Sequence, residues 1–277
     1  MIGRIIKKES NEYIVINDSR KYKVPARGKI NYKNGQVLVG DLVKIDEDNN
    51  IIDEILPRKN FLRRPKIANV DYGIIVMSLK NPDYSSNLLD KNISFLTFNK
   101  IDPIICFTKV DLLNKDELKS FEEIKNYYES IGIKTFFNTE LDSLKKLIKD
   151  KVLFLTGQTG AGKSTLLNKI DHNLNLKTSP ISKALNRGVH TTKHVEIYQI
   201  NDFLIADTPG FSSLDLREFN KEDIKDSFIE FKNSNCEYRD CFHIHELNCV
   251  IKNKVKAGKI LKSRYDNYQK FINEVKE

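Results

Sequence analysis

Four short runs carry residue types at spacings that chemistry can use. Gly157-x4-Gly162-Lys163-Ser164 is a complete phosphate-loop pattern. Its glycines let successive backbone N–H groups curl around a phosphate at a helix N-terminus, where the dipole favours anions. Of the run Gly157, Gln158, Thr159, Gly160, Ala161, Gly162, Lys163, Ser164 and Thr165, Lys163 would reach the β- and γ-phosphates and Ser164 would ligate magnesium. Asp207-Thr208-Pro209-Gly210 follows an apolar strand, so Asp207 can hold the same magnesium and the Gly210 N–H can touch the γ-phosphate. Thr108-Lys109-Val110-Asp111 also ends a strand. The Asp111 carboxylate can accept from guanine N1–H and from its exocyclic amine. Adenine offers neither, and sites of this kind discriminate by roughly 10⁴ to 10⁵. Asn138-Thr139 stands where a second base-contacting loop belongs.

The fourth run is Cys236-x4-Cys241-x-His243-x5-Cys249. Three thiolates and one imidazole make a closed tetrahedral zinc set of the structural kind, with His245 as a competitor for the fourth position. Cys106, by contrast, lies in an apolar run and is expected in the core.

The elements that must position these residues fall into three textures. Residues 1–62 contain five short strands: Ile2–Ile6, Tyr13–Ile16, Tyr22–Val24, Leu42–Ile45 and Ile51–Leu56. Five strands without a helix-length pattern predict a small barrel of the OB-fold type. Arg20, Lys21, Lys23, Arg27, Lys29 and Lys33, interleaved with Tyr22 and Tyr32, suit phosphates and bases of RNA; the other reading is a solvated hairpin. Pro57–Pro65 reads as a linker.

Residues 63–218 then alternate strand and helix: strand Tyr72–Leu79, helix Leu88–Phe98, strand Pro103–Phe107, helix Lys115–Ile131, strand Lys134–Phe137 and helix Leu141–Ile148. Strand Val152–Thr156, helix Lys163–Ile170 and strands Val195–Ile200 and Phe203–Ala206 complete the series. That predicts an α/β doubly wound sheet. Residues 219–277 carry a helix near Glu222–Phe231, the cysteine loop and a lysine-rich tail. In the tail Lys252, Lys256 and Lys259 share a helix face, with Lys254, Lys262 and Arg264 nearby, as an RNA-facing patch or a solvated helix.

The base reader precedes the phosphate loop, the reverse of the ordinary GTPase order. Joining the old ends through 141–151 and opening the chain before Tyr72 gives the same sheet with new termini, a circular permutation. The remaining composition is consistent with this. Lys and Arg total 46 against 38 Asp and Glu, a net +8 that suits an anionic partner. No apolar run nears the roughly 20 residues of a membrane helix, and no leader pattern is visible. A cytoplasmic monomer without a membrane partner is expected.

Permuted order, a barrel in front and a Cys-Cys-His-Cys module behind together resemble the RsgA (YjeQ) family of ribosome-assembly GTPases. The resemblance extends to Arg27-Gly28-Lys29 and Val39-Gly40-Asp41 in the barrel, and to Pro57-Arg58, Arg63-Arg64-Pro65 and Ala68-Asn69-Val70-Asp71 behind it. It continues through Arg187–Thr192, which matches the family's first switch, and Cys236–His243, which matches its zinc loop. The main departures are Thr108, where the usual residue is Asn, and the unusual Asn138-Thr139. The resemblance implies a GTP-hydrolysing enzyme using magnesium and one structural zinc. Its implied partner is the small ribosomal subunit with its rRNA, late in maturation, hydrolysis being stimulated by the subunit and driving release. Phe211 occupies the place where many GTPases carry a water-orienting Gln. His190 is the candidate substitute, and Thr191 or Thr192 the candidate magnesium cap; for His190 the other reading is a solvated or RNA-contacting residue. Two rival classes remain open: a P-loop enzyme using ATP, for which Asp111 has no task, and an RNA-binding module with a vestigial nucleotide site.

Overall fold

A computed structural model of the 277-residue chain describes residues 1–27, 30, 36–63, 65–171, 174, 195–207, 216, 218–232 and 234–275. Thirteen strands and seven α-helices are named below among these residues. His190, Thr191, Thr192, Gly210 and Phe211, with Lys29, Tyr32 and Lys33, lie outside the described residues.

Strands β1 (Ile2–Glu9), β2 (Glu12–Asn17), β3 (Arg20–Pro25), β4 (Leu42–Asp46) and β5 (Ile51–Ile55) form an antiparallel sheet in the order β3-β2-β1-β4-β5. An isolated bridge between Ala26 and Ile52 brings the two edges together, so the sheet curls into the barrel expected of an OB-fold. Ile5, Val15, Val24, Val43 and Ile52 point inward and are fully buried, as alternation requires. The basic face of β3 is less free than its sequence suggests. Lys23 pairs with Glu12 at 3.0 Å and Glu9 at 3.6 Å, and Arg27 with Asp53 at 2.8 Å and Asp46 at 3.3 Å. Neighbouring strands supply carboxylates that are invisible in the local run. Tyr22 packs against the barrel core.

The segment read as a linker is tied down. Strand β6 (Phe61–Leu62) pairs with β7 (Ile67–Ala68). Arg58 grips the fully buried Asp41 through two bonds, at 2.6 and 2.7 Å. Gly40, at φ +93, passes so close to Ala68 that a Cβ would lie 2.0 Å from its carbonyl oxygen, which only glycine permits.

The central sheet runs β10-β9-β8-β11-β13-β12. Its strands are β8 (Tyr72–Ser78), β9 (Asp102–Thr108), β10 (Lys134–Phe137), β11 (Val152–Thr156), β12 (Glu196–Ile200) and β13 (Phe203–Asp207). All pairings are parallel except the edge hairpin β12–β13. Alternate residues feed opposite cores. Ile75, Met77, Ile105, Phe107 and Phe154 face one side, and Ile74, Val76, Ile104, Cys106 and Leu153 the other. Helices α1 (Ser86–Phe98) and α2 (Lys115–Ser130) cover the first face; α3 (Leu141–Ile148) and α4 (Lys163–Ile170) cover the second. Asn114 starts α2 with a capping box, accepting from Asp116 and Glu117 while the Glu117 carboxylate accepts from Asn114. Helix α1 approaches β8 at Gly73, where a Cβ would meet Leu96 Cδ2 at 2.5 Å.

Helices α5 (Lys221–Ser227), α6 (Val250–Lys256) and α7 (Lys262–Glu274) close the chain around a third apolar cluster built on Phe228, Ile251, Tyr268 and Phe271. Arg264, Tyr265, Tyr268, Phe271 and Ile272 form the buried stripe of α7 at helical spacing. The tail, expected as an RNA-facing patch or a solvated helix, does not place its basic residues on one helix face. Arg264 is fully buried, Lys252 donates to the Ile244 carbonyl, Lys262 pairs with Asp266, and Lys259 lies beyond the end of α6. No helix among the described residues is long and apolar enough to cross a membrane.

Candidate functional site

The phosphate-loop residues sit between β11 and α4, at the C-terminal end of a buried central strand, where ligands of open α/β sheets collect. Gly157, Gly160 and Gly162 have φ of +121, +79 and +93. At Gly157 an added Cβ would lie 2.1 Å from the Val76 carbonyl. The loop therefore makes a tight backbone curl that side chains would fill. Lys163 folds back over it, donating to the carbonyls of Gly157 and Gln158 at 2.7 Å each. Burial lowers its pKa from the ordinary lysine value. Ser164 is half-buried in the first turn of α4, whereas Thr159 and Thr165 are exposed. Asp207 ends β13, next to β11 in the sheet, and is buried. A hydroxyl in the first turn of α4 and a carboxylate at the end of β13 are hard oxygen donors of the kind that suit magnesium.

The base-reading run begins two strands from β11, on the far side of β8. Thr108 ends β9, and its hydroxyl donates to the Ala161 carbonyl at 2.6 Å, 53 residues away in sequence. Thr108 thus ties its loop directly to the phosphate loop. Lys109 adopts φ +61 and donates its ammonium to the Asn81 carbonyl. Val110–Leu112 form a single 3-10 turn that leaves Asp111 exposed. Asn138 follows β10, and its backbone N–H donates to the Phe107 carbonyl at 2.8 Å. The Asn138 Oδ1 is buried with no protein partner, a group that costs free energy until something donates to it. Thr139 beside it is exposed. The ends of β9, β10, β11 and β13 therefore gather every described nucleotide-site residue at one edge of the sheet.

The thiolate loop forms a second site. Cys236, Cys241, Cys249 and His243 Nδ1 place their ligand atoms within 4.8 Å of one another. Cys241 and Cys249 sulfurs are 3.8 Å apart, Cys236 and Cys249 4.0 Å, and the His243 nitrogen lies 3.2 to 3.5 Å from all three sulfurs. A Zn–S bond of about 2.3 Å gives tetrahedral edges of about 3.8 Å, so the donor set fits zinc in type and spacing. His243 takes φ +62 to turn inward. Burial holds its imidazole below the usual pKa, against the opposing charge of Glu246, which favours the neutral ligand form. Glu246 caps the loop by accepting from Phe242 and Ile244 at 2.6 and 2.8 Å. Tyr265 and Tyr268 of α7 donate to the His243 and Phe242 carbonyls at 2.6 Å each. His245 is exposed and outside the cluster, which leaves His243 as the imidazole of the set.

One polar cluster escaped the sequence reading. Arg264 donates to Asp90 at 2.7 Å and bidentately to Glu230, and Asp90 also accepts from Tyr128 and Asn267 at 2.7 Å each. Burial works against the Arg264 charge, but Glu230 and Asp90 outweigh it and hold its pKa above the usual value. These residues come from α1, α2, the 229–231 turn and α7, so no local spacing could reveal them.

A phosphate loop and a base-reading loop joined at the edge of a parallel sheet, in reversed chain order, define a circularly permuted GTPase. A family model described as RsgA GTPase matches residues 55–217. A Small ribosomal subunit biogenesis GTPase RsgA from Enterococcus faecalis is 42% identical, over 99% of this chain and 95% of that protein. One from Streptococcus agalactiae is also 42% identical, over 99% and 95%. Among solved structures, YjeQ from Thermotoga maritima superposes with a TM-score of 0.84 at 30% identity, covering 99% of this chain and 97% of that one. YloQ, a circularly permuted GTPase, gives 0.82 at 34%, covering 99% and 94%. The chain belongs to the RsgA GTPase family.

Proposed function

We propose that this chain hydrolyses GTP while bound to the small ribosomal subunit, assists a late step of its maturation, and leaves once hydrolysis is complete. The observation that carries the nucleotide half is the Thr108–Ala161 bond, which joins the base-reading and phosphate-binding loops into one pocket. The partner half is supported by the relatives' names and by the net charge of +8. Three units divide the work: a barrel over 1–62, the GTPase sheet over 63–218 and the metal module over 219–277. The protein is taken to act as a monomer in the cytoplasm.

In this reading the backbone N–H groups of 157–165 hold the phosphates, with Lys163 leaving the Gly157 and Gln158 carbonyls to meet them. Magnesium, held by Ser164 and Asp207, supplies charge neutralisation at the phosphates. Asp111 accepts from the guanine edge, and Lys109, Val110, Asn138 and Thr139 frame the base. Zinc held by Cys236, Cys241, His243 and Cys249 supplies folding energy to its loop. Gly210 as a phosphate contact, His190 as the group orienting water, and Thr191 or Thr192 as the magnesium cap rest on the sequence. Docking would act by ordering the 177–192 segment, an order–disorder switch. The nucleotide half is tested by competition: unlabelled GTP should displace a fluorescent guanine nucleotide at least a thousandfold better than ATP. Equal displacement by ATP would return the chain to the ATP-using class.

A further inference from the structure

Three sets of side-chain bonds, carried from one to the next by helices α1 and α7, join the phosphate loop to the thiolate module. Thr156, the residue before Gly157, donates its hydroxyl to Asn92 Oδ1 at 2.7 Å, and both side chains are buried. Asn92 stands on α1 two residues from Asp90. The Asp90 carboxylate accepts from Arg264 and Asn267 of α7 at 2.7 Å each. On the same helix, Tyr265 and Tyr268 donate to the carbonyls of His243 and Phe242 inside the ligand loop. Packing alone does not require such groups, since well-packed apolar residues serve a core as well as a buried ion pair does.

We propose that Asn92 is a positioning residue for the phosphate loop, and that Arg264 positions Asn92 through Asp90, so that metal and nucleotide favour each other's binding. The inference rests on reading 157–164 as the nucleotide loop and the thiolate cluster as a zinc site. The physical basis is limited slack. Without metal, the loop carbonyls that Tyr265 and Tyr268 hold lose their fixed place, and α7 can shift. Helix α1, bonded to α7 through a buried cluster, shifts with it. Thr156 must then follow or lose its partner. Following displaces Gly157, where a Cβ-sized space is already closed by the Val76 carbonyl at 2.1 Å. A coupling of this kind is reciprocal: whatever factor zinc adds to nucleotide affinity, nucleotide adds to zinc affinity.

The test uses the full chain. Zinc affinity is measured by competition with a coloured chelator, with and without saturating GDP, and GDP affinity by titration of a fluorescent derivative on zinc-loaded and zinc-free protein. Both ratios should be equal, at about fivefold or more. Thr156→Val, which keeps shape and removes the donor, should bring both ratios to one, while Thr156→Ser should restore them. Should Thr156→Val fold poorly, the double variant Thr156→Val with Asn92→Leu removes both partners and reads the same quantity. GDP that binds without changing zinc affinity overturns the coupling. Parent-like coupling in both Thr156→Val and the double variant removes Asn92 from the path. Protein that binds no GDP at all would instead overturn the nucleotide reading, and this inference with it.

Discussion

Asp111 and Thr108 sit three residues apart and do different work. Asp111→Asn exchanges an acceptor for a donor at the base edge. We expect it to lose GTP and gain xanthosine triphosphate, measured by competition; a variant that keeps parent GTP affinity would show that another group reads the base. Thr108→Val should weaken every nucleotide about two- to tenfold without changing base preference, because it removes one neutral bond to the Ala161 carbonyl. Thr108 also shows how far residue types can be read from sequence. Its place in the motif was legible, and so was the departure from Asn. That a shorter hydroxyl still reaches the phosphate loop was not, because the reach depends on how closely β9 and α4 approach. Cys106 makes the complementary case. An apolar run placed it in the core, and burial raises its thiol to about 12. Alkylation of zinc-loaded protein near neutral pH should therefore spare Cys106 until the chain unfolds, whereas chelation should open Cys236, Cys241 and Cys249 to reagent. Labelling of Cys106 in the folded state would contradict its burial.

Elements were legible where periodicity and end signals agreed. The strands at Lys134–Phe137 and Val152–Thr156 and the helices at Leu141–Ile148 and Lys163–Ile170 have the bounds their sequences predict. Helix α7 did not announce itself, because its buried stripe includes Arg264 and Asn267, which read as surface residues until Asp90 and Glu230 are placed beside them. The paired strands β6 and β7 were hidden for a related reason. Two-residue ladders carry no period, and the Pro57–Pro65 run has the composition of a linker. The metal loop is the element most dependent on its ligands. Cys241→Ser should lower zinc content below one equivalent by elemental analysis and expose the 236–249 segment to protease. The central sheet should stay folded and still bind GTP, with the affinity reduced by the coupling factor. Full zinc content in Cys241→Ser would mean that the serine oxygen, or another group, completes the set.

At the scale of the whole molecule, permutation changes what each unit is attached to. The chain leaves β13 at Asp207 and runs on to the metal module, while the barrel precedes β8 and is held by Arg58, Asp41 and Asn69. Arg264 then locks the last helix to α1 and α2, so the module is built onto the sheet's helical layer. Removing that guanidinium leaves two carboxylates buried without their partner. Arg264→Met should cost roughly 3–5 kcal/mol of stability, read as a large fall in the urea midpoint. A shift below 1 kcal/mol would mean that water reaches the cluster. Order reversal and the ligand loop were legible in sequence, because the first is the order of local runs and the second is itself one. The joints between units were not, because every one pairs residues distant in the chain. GTP turnover with purified small ribosomal subunits, large subunits, or neither reads out what these joined units do together. Hydrolysis by the protein alone should be slow, should rise at least tenfold with small subunits, and should not rise with large ones. Turnover that is unchanged by small subunits, or raised equally by both, would contradict the proposed function.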